Sequence, residues 1–170
     1  MKIEEMPISN VKWVPVDELK ANDYNPNVVF SKEMELLKFS ILTNGWIQPI
    51  LVTQDYQIID GYHRSCLAKD KEVNKMTNGL VPVVIMNLTE PERMLLTIRI
   101  NRAKGSHIAI KMHDIIKKLI EEYGISKETI IKEIGATKDE IDILEMENIF
   151  KHFDFNKESK YSKAWIPSKE

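Results

Sequence analysis

Ile50-Leu51-Val52-Thr53, Gln57-Ile58-Ile59, Asp60-Gly61-Tyr62-His63-Arg64 and Ser65-Cys66-Leu67-Ala68-Lys69 form the stretch from which the fold is read. The first two pieces are apolar and rich in β-branched residues, and Gln54-Asp55-Tyr56 separates them, so they read as two strands joined by a short turn. The last piece reads as helix, which leaves Gly61 at the seam between strand and helix. A glycine there lets the backbone turn sharply and lets a ligand approach closely. The first free amides of the helix then point outward at the positive end of its dipole. His63 and Arg64 add donors, and Arg64 has the fork geometry to hold a phosphate through two parallel hydrogen bonds. The same pattern also serves as an ordinary strand-to-helix turn, with Asp60 as helix cap and His63 as an exposed first-turn residue.

Working outward, Val11 to Val16 reads as a first strand, and Pro15 within it points to a sheet edge because proline cannot donate to the ladder. The polar run Leu19 to Asn27 reads as a loop. Ser31 then caps a helix in which Met34, Leu37 and Ile41 recur at helical spacing, ending at Asn44-Gly45. Val81 to Met86 is a further, buried strand. Beyond it the pattern is helical. Thr89 and Glu92 make a capping box, and Ile108, Met112, Ile115, Ile116, Leu119 and Tyr123 form one apolar stripe ending at Gly124. A helix from Ser126 carries Ile130, Ile131 and Ile134 and stops at Gly135. Thr137 with Glu140 opens another through Ile141 and Leu144. The expected fold class is thus α/β (α+β): a small α/β unit over residues 8–100, a helical subdomain over 101–150, and a polar tail over 151–170.

A chain of 170 residues with 43% apolar content can bury one substantial core. The net charge of -2 hides an uneven distribution, since Arg93 to Lys118 holds seven basic residues against Asp114 alone, a local +6. Cys66 is the single cysteine, which excludes an intrachain disulfide and a Cys-rich zinc site and fits a cytoplasmic setting. No apolar run is long enough for a signal peptide or a membrane span. His107 and His113 lack metal-ligand spacing, so no metal site is expected.

In order along the chain, Asn25-Pro26-Asn27, the helix ending at Gly45, Gln48-Pro49-Ile50, Asp60-Gly61-Tyr62-His63-Arg64 and Val81-Pro82-Val83 resemble the N-terminal domain of the ParB/sulfiredoxin superfamily. Asn101-Arg102-Ala103-Lys104-Gly105-Ser106-His107 resembles the element that follows in short ParB-like proteins of phages and mobile elements. The resemblance implies a small mixed sheet with helices, a ligand that is a nucleotide (ATP, ADP or CTP, with or without Mg2+), and residues Asp60, Gly61, Tyr62, His63, Arg64, Arg99, Arg102 and Lys104 around its phosphates. Sulfiredoxins place their catalytic cysteine directly before the His-Arg pair. Here that place is Tyr62, and Cys66 lies one helical turn on, so sulfiredoxin chemistry is not expected. ParB-type proteins carry a Glu-Asn-x-x-Arg element; with its Arg at Arg102, Ile98 and Arg99 stand in place of Glu and Asn, and the magnesium contacts they imply are absent. Free serine kinases of the superfamily use a carboxylate in the loop after the first strand as general base. The resemblance carries that role to Asp23, with Glu18 the weaker match and His63 beside the transferring phosphoryl group.

The segment Ser126 to Glu147 has helix-turn-helix spacing, yet Ile125 to Asn148 holds three lysines and seven acids, a local -4. Carboxylates on the would-be recognition helix favour packing or protein contact over phosphate attraction. DNA contact, if made, is expected through the basic 93–118 segment, and a protein partner through the C-terminal helices and tail; an oligomer remains compatible. The leading expectation is a nucleotide-binding protein, with phosphoryl transfer or hydrolysis as its enzymatic form, in a DNA-related process. A non-enzymatic DNA-associated regulator is the alternative. A nuclease is weaker, because no acidic cluster for two metals is visible.

Overall fold

The computed structural model describes residues 2–22, 31–103 and 109–145. Four strands, β1 (Lys12–Pro15), β2 (Ile50–Val52), β3 (Ile58–Asp60) and β4 (Leu80–Ile85), form one mixed sheet in the order β1-β4-β2-β3. β1 runs antiparallel to β4 with Trp13 opposite Pro82, β4 runs parallel to β2, and β2 is antiparallel to β3. Pro15 lies on an edge strand, as expected, whereas Pro82 sits in β4 with a strand on each side. The helices are α1 (Ser31–Asn44), α2 (Tyr62–Ala68), α3 (Lys71–Thr77), α4 (Glu90–Ala103), α5 (Ala109–Glu121), α6 (Lys127–Ile134) and α7 (Lys138–Glu145). The mixed α/β sheet followed by a helical subdomain is the expected class.

Two differences from the sequence reading bear on the site. α2 begins at Tyr62 rather than Ser65, so Tyr62, His63 and Arg64 are helical and Gly61 is the N-cap. α3, which carries no long apolar period, is set by its cap: the Asp70 side chain accepts from Glu72 N at 3.0 Å, and Lys38 of α1 pairs with Asp70 at 2.9 Å and Glu72 at 2.6 Å.

Two main cores divide the buried surface. The sheet core holds Val14, Val16, Leu19, Ile50, Val52, Ile58, Ala68, Val81 and Val83. The helical core gathers Met94, Leu95 and Ile98 of α4, four residues of α5, and Ile130, Ile134, Ile141 and Leu144 from α6 and α7. α4 joins them: it sends its apolar side into the helical core while Thr97 Oγ1 donates to Ile59 O of β3 at 3.2 Å. A boundary drawn at residue 100 falls inside this helix. The sequence caps are in place. Thr89 N donates to Glu92 Oε2 at 2.7 Å, Ser126 Oγ accepts from Thr129 N at 3.2 Å, and Gly135, at φ 65°, closes α6. Among the described residues no helix is long and apolar enough to cross a membrane.

α4 and α5 are further tied by Glu90, which accepts from Lys118 Nζ at 2.9 Å. Hydrogen bonds from the Tyr123 hydroxyl and Lys118 hold the Glu90 carboxyl below its usual pKa. A carboxylate depressed in the folded state contributes stability above its unfolded pKa and loses it as pH falls through the folded value. Glu90→Gln is therefore expected to lower Tm at pH 7, with the gap to wild type narrowing below about pH 4.5 and closing in stronger acid. Thermal melts across a pH series check this; a gap that is constant with pH would contradict it.

Candidate functional site

Gly61 is buried and left-handed, at φ 101° and ψ 24°, and from it β3 turns directly into α2. The chain reverses here because only glycine adopts that conformation without strain. Ser65 N donates back to Gly61 O at 3.0 Å, closing the first turn and leaving the amides of Tyr62, His63 and Arg64 at the helix start outside the intrahelical ladder.

Arg64 does not project from this turn. Its side chain is buried, Nη1 donates to Gln48 O and Pro49 O, both at 2.7 Å, and Nη2 pairs with Asp60 Oδ2 at 3.0 Å. Burial lowers the guanidinium pKa and Asp60 opposes that shift. The fork read from the sequence as a phosphate grip is in this structure a latch that binds the segment before β2 to the end of β3. The physical reason is register. Starting α2 at Tyr62 places Arg64 one turn beyond Asp60, at i,i+4, facing the sheet.

Tyr62 and His63 are half-buried, with ring centroids 6.3 Å apart at 65°. Cys66, one turn on, together with burial raises the Tyr62 phenol above its ordinary pKa, so it stays protonated at neutral pH. Asp23 and Lys104 lie outside the described residues. Asp23 follows Asn22, whose position is fixed: Nδ2 donates to Ile58 O at 2.7 Å, and Lys20 bridges in parallel to Gln57 on the free edge of β3.

Two of the three arginines of α4, Arg99 and Arg102, turn away from β3. Arg99 pairs with Glu133 of α6 at 3.2 Å. Arg102 is held by Glu140 of α7 and donates to Gly135 O at 3.2 Å. The α4 face toward β3 is instead the row Arg93, Thr97, Asn101, spaced at i,i+4. Arg93 meets the Gln57 side chain and Thr97 meets Ile59 O. Asn101, the next residue at this spacing, is likewise buried. The structure therefore brings Asp60, Gly61, Tyr62, His63 and Arg64 together and does not seat Arg99 and Arg102 on them. Asn22 and Asn101, both buried polar residues, were missed in the sequence because a polar loop residue and one position of a helix show their neighbours only once β3 and α4 are docked.

Five basic side chains of the 93–118 segment are described, and all five are ion-paired. Arg93, Arg99, Arg102, Lys117 and Lys118 each have a carboxylate partner. On α7, Glu140 reaches Arg102, and Asp142 and Glu145 both reach Lys127 of α6. Among the described residues no cluster of three His, Cys, Asp or Glu side chains suits a metal ion.

Residues 2–101 match the family described as the ParB N-terminal domain. Over 166 residues the chain is 36% identical to the uncharacterized protein YbdM of Escherichia coli strain K12, covering 95% of this chain and 78% of YbdM. A probable chromosome-partitioning protein ParB of Rickettsia bellii is 26% identical over 148 residues, 86% of this chain; the chain spans only 50% of that relative's length. The C-terminally truncated chromosome-partitioning protein ParB of Caulobacter crescentus, complexed to the centromeric parS site, superposes with a TM-score of 0.51 at 22% identity, over 78% of this chain and 69% of that one. The same protein complexed with CTP-gamma-S gives 0.47 at 22% identity, over 79% and 76%.

Proposed function

Because this chain belongs to the ParB N-terminal domain family, we propose that it is a nucleotide-binding protein acting in a DNA-related process, with the ligand's phosphates at the Gly61 turn. The observation that carries the reading is the left-handed, buried Gly61 held against the sheet by the Arg64 latch, which fixes the amides of Tyr62 and His63 before any ligand arrives. Preorganised amides suit phosphate oxygens, and a rigid turn loses little entropy on binding. In this reading Arg64 acts by holding the turn rather than by touching the phosphates. Lys104 and Asp23 stay assigned by resemblance, to the phosphates and to proton abstraction from an acceptor hydroxyl respectively.

Calorimetric titration with ATP, ADP and CTP, each with and without Mg2+, tests it. Saturable binding of at least one nucleotide at a Kd of about 100 µM or tighter is expected. Absence of heat and of thermal stabilisation with all three would rule the reading out. Product analysis in the same samples decides whether the bound nucleotide is turned over.

A second reading, a DNA-associated scaffold without nucleotide, is supported by α6 and α7 meeting at Gly135 with helix-turn-helix spacing. It has to accommodate the inward-paired acids of α7. Duplex binding through basic side chains is expected to weaken steeply with salt, and fluorescence anisotropy across a salt series reads that slope.

A further inference from the structure

Asn22 is 8% exposed, and its amide is only half used. Nδ2 donates to Ile58 O at 2.7 Å, while Oδ1 is buried with no hydrogen-bond partner. The orientation is not free to reverse, because Ile58 O is a carbonyl and can only accept; turning the amide over would set two acceptors against each other. A buried acceptor left without a donor is costly, and native structures tolerate one where a ligand or ordered water completes it.

Its position says what kind of donor fits. Asn22 is pinned to Ile58, three residues before Gly61, and at strand spacing that is about 10 Å from the helix start. This is the scale separating the hydroxyl and amino donors of a nucleoside from its outer phosphates. Phosphate oxygens are excluded as partners of Oδ1, since they are acceptors at neutral pH. We infer that Asn22 is a specificity-determining residue of this site, its Oδ1 accepting a hydrogen bond from a ribose hydroxyl or a base amino group of a nucleotide whose phosphates lie at Gly61. The inference rests on the nucleotide reading above and deepens it by placing the nucleoside end against β3.

The test is a ligand-by-residue cycle. Affinity is measured for the tightest nucleotide of the calorimetric series and for its 2′-deoxy, 3′-deoxy and deaminated analogues (UTP for CTP, inosine nucleotides for adenosine), with wild type, Asn22→Leu and Asn22→Ala. Wild type is expected to lose about tenfold or more in affinity for one analogue, and which one identifies the donor as hydroxyl or amine. In both variants that ratio is expected to fall to about one, because the acceptor is gone. A wild type that binds all analogues alike overturns the inference and leaves nucleotide binding standing. So does a ratio that survives in the variants, even if they bind everything more weakly. Absence of binding by any nucleotide overturns both. The wild-type arm decides even if a variant fails to fold.

Discussion

Arg64→Ala is expected to cost about 3–5 kcal/mol of folding stability, the range for removing one partner of a buried ion pair. The reason lies in what the truncation leaves behind. Gln48 O and Pro49 O lose a shared donor, and Asp60, whose side chain is 12% exposed, loses the opposite charge that accompanies it into the protein. Neither carbonyl can turn to find a substitute, since Pro49 leads directly into β2. For a domain of this size the loss corresponds to a fall in Tm of more than about 6 °C. Arg64→Lys is expected to fall between wild type and alanine: one ammonium can answer Asp60 or the carbonyls but cannot fork between them at fixed geometry. Chemical denaturation of the two variants measures this. If Arg64→Ala stays within about 1 kcal/mol of wild type in stability yet loses nucleotide affinity, the side chain is a ligand contact and the latch is incidental.

Much of this architecture is written in the chain at short range. The strand pair around Gln54-Asp55-Tyr56, the caps at Ser126 and Thr137 and the stop at Gly135 are local, because turn chemistry and capping depend on residues three or four apart. The apolar stripe from Met112 to Leu119 is similarly legible, since a helix repeats its buried face at a fixed period. What the chain does not display is how a long polar side chain is used. Arg64 has the same composition-level signal whether it grips a phosphate or two backbone carbonyls, and a start of α2 three residues earlier than the apolar pattern suggests decides between them. Arg99 and Arg102 give the same lesson on α4. They lie in a segment of net positive charge, while their partners in space are Glu133 and Glu140, more than thirty residues away. Summed charge along a segment describes a surface only where the element's other faces carry no acids.

Gly61→Ala is the second large effect, expected at about 2–4 kcal/mol, and it separates backbone strain from steric conflict. At φ 101° an alanine pays the left-handed penalty of about 1–2 kcal/mol whatever surrounds it. Its Cβ would also lie 3.1 Å from Arg64 Nη2, 3.3 Å from Arg64 Cζ and 3.3 Å from Ile50 Cγ1. A flexible side-chain end would normally yield to such contacts. Arg64 does not, because Gln48 O, Pro49 O and Asp60 hold it, and Ile50 is fully buried with no room behind it. The two residues therefore compete for one volume, and their effects cannot add. In Gly61→Ala/Arg64→Ala the guanidinium is absent, so only the backbone strain and the Ile50 contact remain to be charged to the alanine at 61. The double variant is expected to be more stable than the sum of the single losses predicts, by about 1 kcal/mol or more. Strict additivity in denaturant unfolding would mean that Arg64 moves aside freely in Gly61→Ala, and that the latch is looser than its hydrogen bonds imply.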